Sequence, residues 1–573
     1  MTSVAENMVQ TLVRNGVRRI YGLPGDSLNA LTEAIRLEDE LEWVHVRHEE
    51  SAAFAAGAEA EMTGALAVCA GSCGPGNLHL INGLFDANRS RVPVLAIAAH
   101  IPTVEIGTGY FQETHPQELF RECSVYVEYV ATAEQMPRLL EIAMRTAIER
   151  RGVAVLVIPG DVAQATIHDD RRTLIRRTRS EVVPAAAQLQ EAADALNAAK
   201  TVTILGGAGA AGAHAEVLAI AERLAAPTVH AMRGKEHLEH DNPFDVGMTG
   251  LLGFASGYRA MDAADAVLLL GTDFPYPQFY PEGTTFVQVD IRGEQLGRRH
   301  PVDVGLVGGV RETCAALLPL LEQKRDRHLK DAQQHYAKTR ERLDDLAKPA
   351  RKGAPVHPQH LTRRIDALAA DDAVFIPDVG SPVVYASRYL TMNGRRRLLG
   401  SFWHGSMANA VPQAIGVLAQ DRERQTVTLS GDGGLTMLLG DLLTLTQNRL
   451  PAKIVVFNNS SLNFVELEMK AAGQLPFATE LQNPDFAAVA EALGIKGIRV
   501  EESADVDAAL IEAFAHDGPA LVDVVVDPQE LTIPPTIALE QAKGFALYAM
   551  RTVLSGRGDE LLDLARTNWR QLF

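Results

Sequence analysis

The run Thr426-Val427-Thr428-Leu429-Ser430-Gly431-Asp432-Gly433-Gly434 is followed by a second, Ile454-Val455-Val456-Phe457-Asn458-Asn459-Ser460, which reaches Asn459 27 residues after Asp432. Two apolar runs that each stop at a polar turn read as two strands. Glycines at the end of the first let a backbone approach a diphosphate, because no β-carbon stands in the way. A carboxylate and a carboxamide at two neighbouring strand ends suit a hard cation that takes oxygen ligands. Turns rich in Gly and Asn are common singly. The pair, each member at a strand end, reads as a phosphate and metal site.

The same signal spreads outward in both directions. Short apolar runs alternate with longer Ala-rich segments: Leu66 to Ala70, Val92 to Ala99 and Val153 to Ile158, then Val202 to Leu205 and Ala266 to Leu270, then Ala373 to Ile376, Gln425 to Leu429, Ile454 to Phe457 and Ala520 to Val526. Helices covering parallel sheets give this pattern. The expected class is α/β, with three doubly wound parallel-sheet domains in series and a helical C-terminal tail. The expected ranges are 1–182, 183–332, 333–530 and 531–573. Residues 161–185, with Arg171, Arg172, Arg176, Arg177 and Arg179, and the densely charged 324–356 read as solvated connections.

Bulk numbers set limits on function. The 573 residues exceed one core, at about 150 residues per domain, and 54 Lys and Arg against 72 Asp and Glu give a net charge of −18. That balance argues against a general nucleic-acid binder, which needs clustered basic groups. Cys69, Cys73, Cys123 and Cys314 form no Cys-x-x-Cys pair, so neither zinc nor a disulfide framework is indicated, and reduced, mostly buried thiols are expected. The first residues lack the pattern of a signal peptide, and no run of 18 apolar residues occurs. A cytoplasmic location is expected, with attachment to a membrane surface left open.

With Gly-Asp-Gly at 431–433 and Asn-Asn at 458–459, the sequence resembles the thiamine diphosphate enzymes. The resemblance implies Asp432, Asn459 and the carbonyl of Ser461 as ligands of Mg2+. Gly433, Gly434 and the run Ser460, Ser461, Leu462, Asn463 and Phe464 then surround the diphosphate end of the cofactor. Gly405-Ser406-Met407 resembles the segment that grips the aminopyrimidine, with Met407 as the wedge that bends thiamine diphosphate. Near the start of the chain, Arg47-His48-Glu49-Glu50 opens an Ala-rich helix. Taken alone, a carboxylate there is a helix N-terminal acid favoured by the dipole. Resemblance makes Glu49, directly after Arg-His, the partner of N1′ of the pyrimidine, where it controls the tautomer that deprotonates the thiazolium. The cofactor then supplies the electron sink for losing CO2 from pyruvate.

An α/β unit between Glu49 and the diphosphate motif resembles the pyruvate oxidase, acetolactate synthase and pyruvate decarboxylase group. It opens with Leu205-Gly206-Gly207-Ala-Gly209-Ala-Ala-Gly212, a strand and then Gly-x-Gly-x-x-Gly. The fingerprint is weak, because Ala226-Pro227-Thr228 stands where an acidic residue should end the next strand. The rest of the unit resembles FAD-binding members: Thr249, Gly250, Leu251 and Leu252; Thr272, Asp273, Phe274, Pro275 and Tyr276; and Asp290, alongside Gly207 and Gly209. Without the resemblance, Asp290 reads as a cap for a helix starting at Ile291.

The resemblance to the pyruvate:quinone oxidoreductases runs nearly the whole chain, through Arg47-His-Glu49, Ala70 to Asn77 and Gly109 to Pro116. It implies that Phe111, Gln112 and Val379 frame the substrate methyl and that Phe464 swings into the site on activation. Asn463 is a departure, standing where a glycine commonly precedes that phenylalanine. Leu561, Leu564, Ala565, Trp569, Leu572 and Phe573 recur at steps of three and four, an amphipathic stripe at the end of the chain. The pattern fits a docking helix or a lipid-binding one; resemblance implies the latter, with the enzyme held at the inner face of the cell membrane when activated. Pyruvate, a membrane quinone and a lipid bilayer surface are the implied partners, and a homo-oligomer, commonly a tetramer, the implied assembly. Rival readings are an acetolactate synthase-like carboligase, a phosphate-dependent oxidase using O2, and a non-enzymatic binding module.

Overall fold

The computed structural model describes residues 2–168, 172–178, 180–528 and 547–552. Its core is three six-stranded sheets in which every strand pair is parallel. The first holds β1 (Arg19–Gly22), β2 (Glu42–His45), β3 (Ala67–Gly71), β4 (Val94–His100), β5 (Tyr126–Tyr129) and β6 (Val153–Pro159), in the order β2-β1-β3-β4-β6-β5. The second holds β7 (Val202–Gly206), β8 (Thr228–His230), β9 (Asp245–Met248), β10 (Ala266–Leu270), β11 (Thr285–Asp290) and β12 (Val304–Val307), ordered β12-β11-β10-β7-β8-β9. The third holds β13 (Val374–Pro377), β14 (Arg397–Leu398), β15 (Thr426–Gly431), β16 (Lys453–Asn458), β17 (Lys496–Val500) and β18 (Ala520–Val525), ordered β14-β13-β15-β16-β18-β17. First and third thus share one topology, and the middle sheet has another.

Central strands β3, β4, β6, β10 and β16 are buried along their whole length. Continuous apolar runs are what a parallel sheet covered on both faces requires. In the third sheet β15 and β16 are neighbours, with Ser430 opposite Val456 and Gly431 opposite Phe457, so the two polar turns emerge side by side.

Small side chains join the first sheet to the third. Helix Glu49–Thr63, capped by the His48 ring accepting from Glu50 N and closed by Gly64 at φ 65°, packs on helix Pro75–Ser90 and on helix Ala410–Gln420. A β-carbon on Gly83 would come 2.6 Å from that of Ala53, and one on Gly416 would overlap the carbonyl of Ala55. The charged stretch after residue 324 differs from its expectation as a solvated connection. It forms a twenty-residue helix, Arg327–Leu346, that buries Leu329, Ala332 and Leu343. Ala332 joins the core of the middle sheet and Leu343 that of the third, so the expected boundary at 332/333 falls inside a bridging helix. No described helix is long and apolar enough to cross a membrane.

Candidate active site

Asp432 begins the short helix Asp432–Met437 directly after β15 and is buried. Its Oδ1 accepts from Gly433 N at 2.9 Å, and its Oδ2 from Asn459 N at 3.2 Å, Ser460 N at 2.7 Å and Asn483 Nδ2 at 2.8 Å. All four donors are neutral, and among the described residues no ion pair reaches this carboxylate. Burial pushes its pKa above the usual carboxylate range, against the four hydrogen bonds that lower it. Ser460 takes a left-handed φ of 56°, and Asn459 Oδ1 folds in to accept from Ser461 N at 3.0 Å. A carboxylate, an amide oxygen and a chain carbonyl within one pair of turns is a donor set that fits a hard divalent cation.

Around this turn the structure adds residues that sequence reading missed. Asn483 lies in a loop whose Leu481 N donates to Ser460 O, while Leu462 N donates to Thr479 O. Asp378, buried at the end of β13, accepts from Val379 N at 3.0 Å and Asn409 N at 3.2 Å. Its signal was present: Val374 to Pro377 runs into Asp378-Val379-Gly380, the same strand-then-Asp-x-Gly form as the stretch at 432. Asn483 follows no strand and had no such signal.

Met407 Cε lies 3.6 Å from where a β-carbon on Gly433 would stand, so the segment Gly405-Ser406-Met407 and the turn after Asp432 meet. Gly405 is exposed at φ 78°. Ser406 N donates to Ser401 Oγ at 3.0 Å, and Ser406 Oγ accepts from Asn82 Nδ2 at 2.9 Å. Phe464 stands half-buried in the first turn of helix Asn463–Ala471. The departure at Asn463 has a structural consequence: its Nδ2 donates to Pro528 O at 2.9 Å and its Oδ1 accepts from Ser381 Oγ at 3.1 Å, pinning the residue ahead of Phe464.

Glu49 is buried at the N-terminus of its helix, with Oε2 2.9 Å from His79 Nδ1; the His79 ring stacks on His48 at 4.2 Å. Glu49 and Gln112 flank one turn. A β-carbon on Gly76 would come 2.9 Å from Glu49 Oε1, and one on Gly74 would come 2.8 Å from Gln112 Cβ. Gln112 is left-handed at φ 63°, its Oε1 accepts from Cys73 Sγ at 3.2 Å, and its neighbour Phe111 is 77% exposed. All four cysteines are free and buried, as expected. Among the described residues no hydrogen bond joins Glu49 to the Asp432 turn within the chain.

In the middle unit, Gly207 and Gly209 pack on the turn after β10, with Gly209 N donating to Gly271 O at 2.9 Å; the close approach these glycines permit is to Gly271 and Thr272. Thr249, 2% exposed, has no hydrogen-bond partner for its hydroxyl among the described residues. A buried orphan of this kind is a place for a ligand's polar atom. Beside it are Gly250 at φ 93°, then Leu251 and Leu252, with Leu252 O accepting from Ser387 Oγ and Arg388 Nε of the third unit. Phe274 and Tyr276 sit edge to face at 5.4 Å around Pro275, and Asp273 pairs with Arg299 at 2.8 Å. Asp290 accepts from Arg292 N at 2.9 Å, a local turn; no helix starts at Ile291, where a cap was one reading.

Leu561, Leu564, Trp569, Leu572 and Phe573 lie outside the described residues. The described part of the C-terminal region, residues 547–552, is helical and rests on helix Asn463–Ala471: Lys470 Nζ lies 5.6 Å from the centre of the buried Tyr548 ring, and Arg551 Nη1 donates to Gly473 O at 2.6 Å.

Comparison with known proteins gives the same division of the chain. Residues 2–119 match the N-terminal thiamine pyrophosphate-binding domain of the thiamine pyrophosphate enzymes, 189–317 their central domain and 378–524 their C-terminal thiamine pyrophosphate-binding domain. A putative thiamine pyrophosphate-containing protein of Bacillus subtilis is 36% identical over 99% of this chain and 98% of its own. Pyruvate oxidase of Lactiplantibacillus plantarum is 30% identical over 91% of this chain and 88% of its own, and the large subunit of acetolactate synthase isozyme 1 of Escherichia coli 27% over 92% and 95%. With its three α/β units matched in order, and with full-length relatives at this identity, the chain belongs to the thiamine pyrophosphate enzyme family.

Proposed function

We propose that this protein oxidatively decarboxylates pyruvate to acetate and CO2, with water supplying the added oxygen, and delivers the electron pair with two protons to a membrane quinone, using thiamine diphosphate, Mg2+ and FAD. The observation that carries the reading is that Glu49 and Gln112 flank the Gly74–Gly76 turn, a buried carboxylate against Gly76 and a side-chain amide against Gly74. Asp432, Asn459 and the Ser461 carbonyl would hold the metal, and Gly405 to Met407 the pyrimidine. Thiamine diphosphate supplies the electron sink for decarboxylation and FAD accepts the electron pair. Glu49 holds the proton at N1′; Phe111, Gln112 and Val379 frame the methyl of the 2-oxo acid, and Phe464 swings into the site on activation.

The pyruvate oxidase relative supports the substrate class, and the orphan Thr249 hydroxyl beside the Phe274–Tyr276 pair supports a flavin in the middle unit. The seating of residues 547–552 on the helix that carries Phe464 supports a C-terminal segment that reports on the site, as peripheral attachment to the inner face of the cell membrane needs. A homo-oligomer, with Glu49 of one chain serving the diphosphate turn of another, completes the proposal. The test is anaerobic pyruvate added to the protein loaded with all three cofactors. Bleaching of the flavin with acetate formed is expected; an oxidised flavin with acetolactate accumulating would make it a carboligase.

A further inference from the structure

Helix Pro75–Ser90 of the first unit carries His79, Asn82 and Asp86 at steps of three and four, hence on one face. His79 meets Glu49, and Asn82 Nδ2 donates to both Glu50 Oε1 at 2.7 Å and Ser406 Oγ. Asp86 has neither role in the reaction as proposed, yet it is 4% exposed and, among the described residues, its side-chain hydrogen bonds run to the third unit. Its Oδ1 accepts from Ser401 Oγ at 2.7 Å and its Oδ2 from Gln413 Nε2 at 3.1 Å.

Each bond begins an arm. Along the first, Ser401 Oγ accepts from Ser406 N and so fixes the Gly405–Met407 segment. Along the second, Gln413 Oε1 accepts from Asn409 Nδ2 at 3.0 Å, and Asn409 Oδ1 accepts from Val379 N at 3.2 Å. Ser401, Gln413 and Asn409 are all buried, so a broken bond leaves a polar group without water to replace it. We propose that Asp86 is a positioning residue of the active site: its two oxygens hold, through Ser401 and Gln413, the pyrimidine-gripping segment and the substrate-facing Val379 at once. This rests on the assignment of Gly405–Met407 and Val379 made above.

Both partners donate, so both arms need the carboxylate form. Burial raises the Asp86 pKa to about 7; Glu61 raises it further, while Ser401, Arg233 and Gln413 pull it down. Protonation puts a hydrogen on one oxygen and releases one arm, so the positioning is complete above neutral pH and fails below it. His404, one turn along at Asn82, has its own pKa lowered by burial and by Arg89, and it stays in place in the variants below.

The experiment compares single-arm variants in the full-length protein with Mg2+. Ser401→Ala should weaken thiamine diphosphate binding by about three- to tenfold in calorimetry, which needs no turnover, and leave the KM for pyruvate within about twofold with ferricyanide as acceptor. Gln413→Met should do the reverse. Asp86→Asn, isosteric and unable to ionise, should abolish the fall in kcat/KM between pH 8 and pH 6. If the arm variants move both constants together, or neither, or if Asp86→Asn keeps the parent pH profile, Asp86 only packs the interface and the proposal falls. Met407→Ala separates the two claims: unchanged cofactor affinity there removes the assignment of the segment and the Ser401 arm with it. A weakened Met407→Ala beside an unchanged Ser401→Ala removes the Asp86 proposal alone.

Discussion

A β-carbon on Gly434 would overlap Oδ2 of Asp378, so the turn after Asp432 is built against a buried carboxylate from the neighbouring strand. Asp378 cannot swing away, because Val379 N and Asn409 N hold its other oxygen. Gly434→Ala should therefore destabilise by about 1–3 kcal/mol, the usual cost of overpacking, and weaken thiamine diphosphate binding as the turn shifts. Adding Asp378→Ala removes the colliding group and should return part of the lost melting temperature. Melting and calorimetry of the single and double variants check this; a single variant identical to the parent would mean the turn has room that the geometry denies it.

Glu49→Gln keeps the size of the side chain and its reach to His79 while removing the charge. Turnover should drop by about 10²- to 10⁴-fold, the range for losing one acid–base group, with folding and flavin content unchanged. Steady-state rates with ferricyanide, beside a flavin spectrum, settle it. Near-parental rates would take Glu49 out of the mechanism.

Asp432→Ala or Asn459→Ala should weaken Mg2+ and thiamine diphosphate together, because these oxygens would hold the cation that the diphosphate also needs. A loss of about tenfold or more is expected from removing the charged ligand Asp432, and a smaller one from removing the neutral Asn459. Asn483→Ala removes only a neutral donor to Asp432 and should cost less. Calorimetry of each cofactor in the presence of the other reads the coupling; cofactor affinity that survives loss of Asp432 places the metal elsewhere.

What the sequence made legible was whatever lies in one contiguous string. The buried strands β3, β4, β6 and β16 announce themselves as apolar runs, as does β15, and Asp432 and Asn459 stand at the ends of β15 and β16. The strands that went unread are short, at an edge or mixed in polarity: β2 with Glu42 exposed, β14 with two residues, and β5 with no fully buried position. Helix Arg327–Leu346 hid because three buried positions in twenty make a faint stripe beneath many charges. His79, Asp86 and Asn483 belong to no sequence motif that marks them for chemistry. Each matters through a partner 30 or more residues away, His79 through Glu49, Asp86 through Ser401 and Asn483 through Asp432, and only the packing of the helices and strands reveals such pairs.

Asp245 gives a pH test remote from the site. Burial raises its pKa to about 7, with Glu239 adding to the rise and Lys235 opposing it. A carboxyl whose folded pKa exceeds its unfolded value, about 3.9, takes up a proton on folding. Its contribution to stability is therefore full below about pH 4, falls as pH rises toward 7 and is gone above it. Asp245→Asn cannot titrate, so the melting temperature of the parent relative to this variant should climb as pH falls from 7.5 to 5. A constant difference across that range would show Asp245 ionised throughout.

The seat of residues 547–552 locates the cut for a truncation. Tyr548 is buried against Lys470 and Arg551 binds Gly473 O, so a chain ending at Thr552 keeps every described contact with helix Asn463–Ala471. Deleting 553–573 then removes only the proposed lipid-binding stripe around Leu561, Leu564, Trp569, Leu572 and Phe573. Burying each large side chain of that stripe contributes roughly 1.5 to 3 kcal/mol, enough together for reversible attachment. Asp559, Glu560 and Asp563 offset Arg557, Arg566 and Arg570, so anionic lipid adds little and the attachment should persist in salt. Because such a stripe is a liability in water, we expect it to bind only once pyruvate has reduced the flavin. The truncated protein should turn over pyruvate with ferricyanide at the parental rate while losing both quinone-linked activity and flotation with neutral liposomes. Flotation is measured with and without pyruvate, thiamine diphosphate and Mg2+. If the full-length protein stays in the soluble fraction in both states, the end of the chain docks on protein, and the quinone assignment loses the support it draws from this segment.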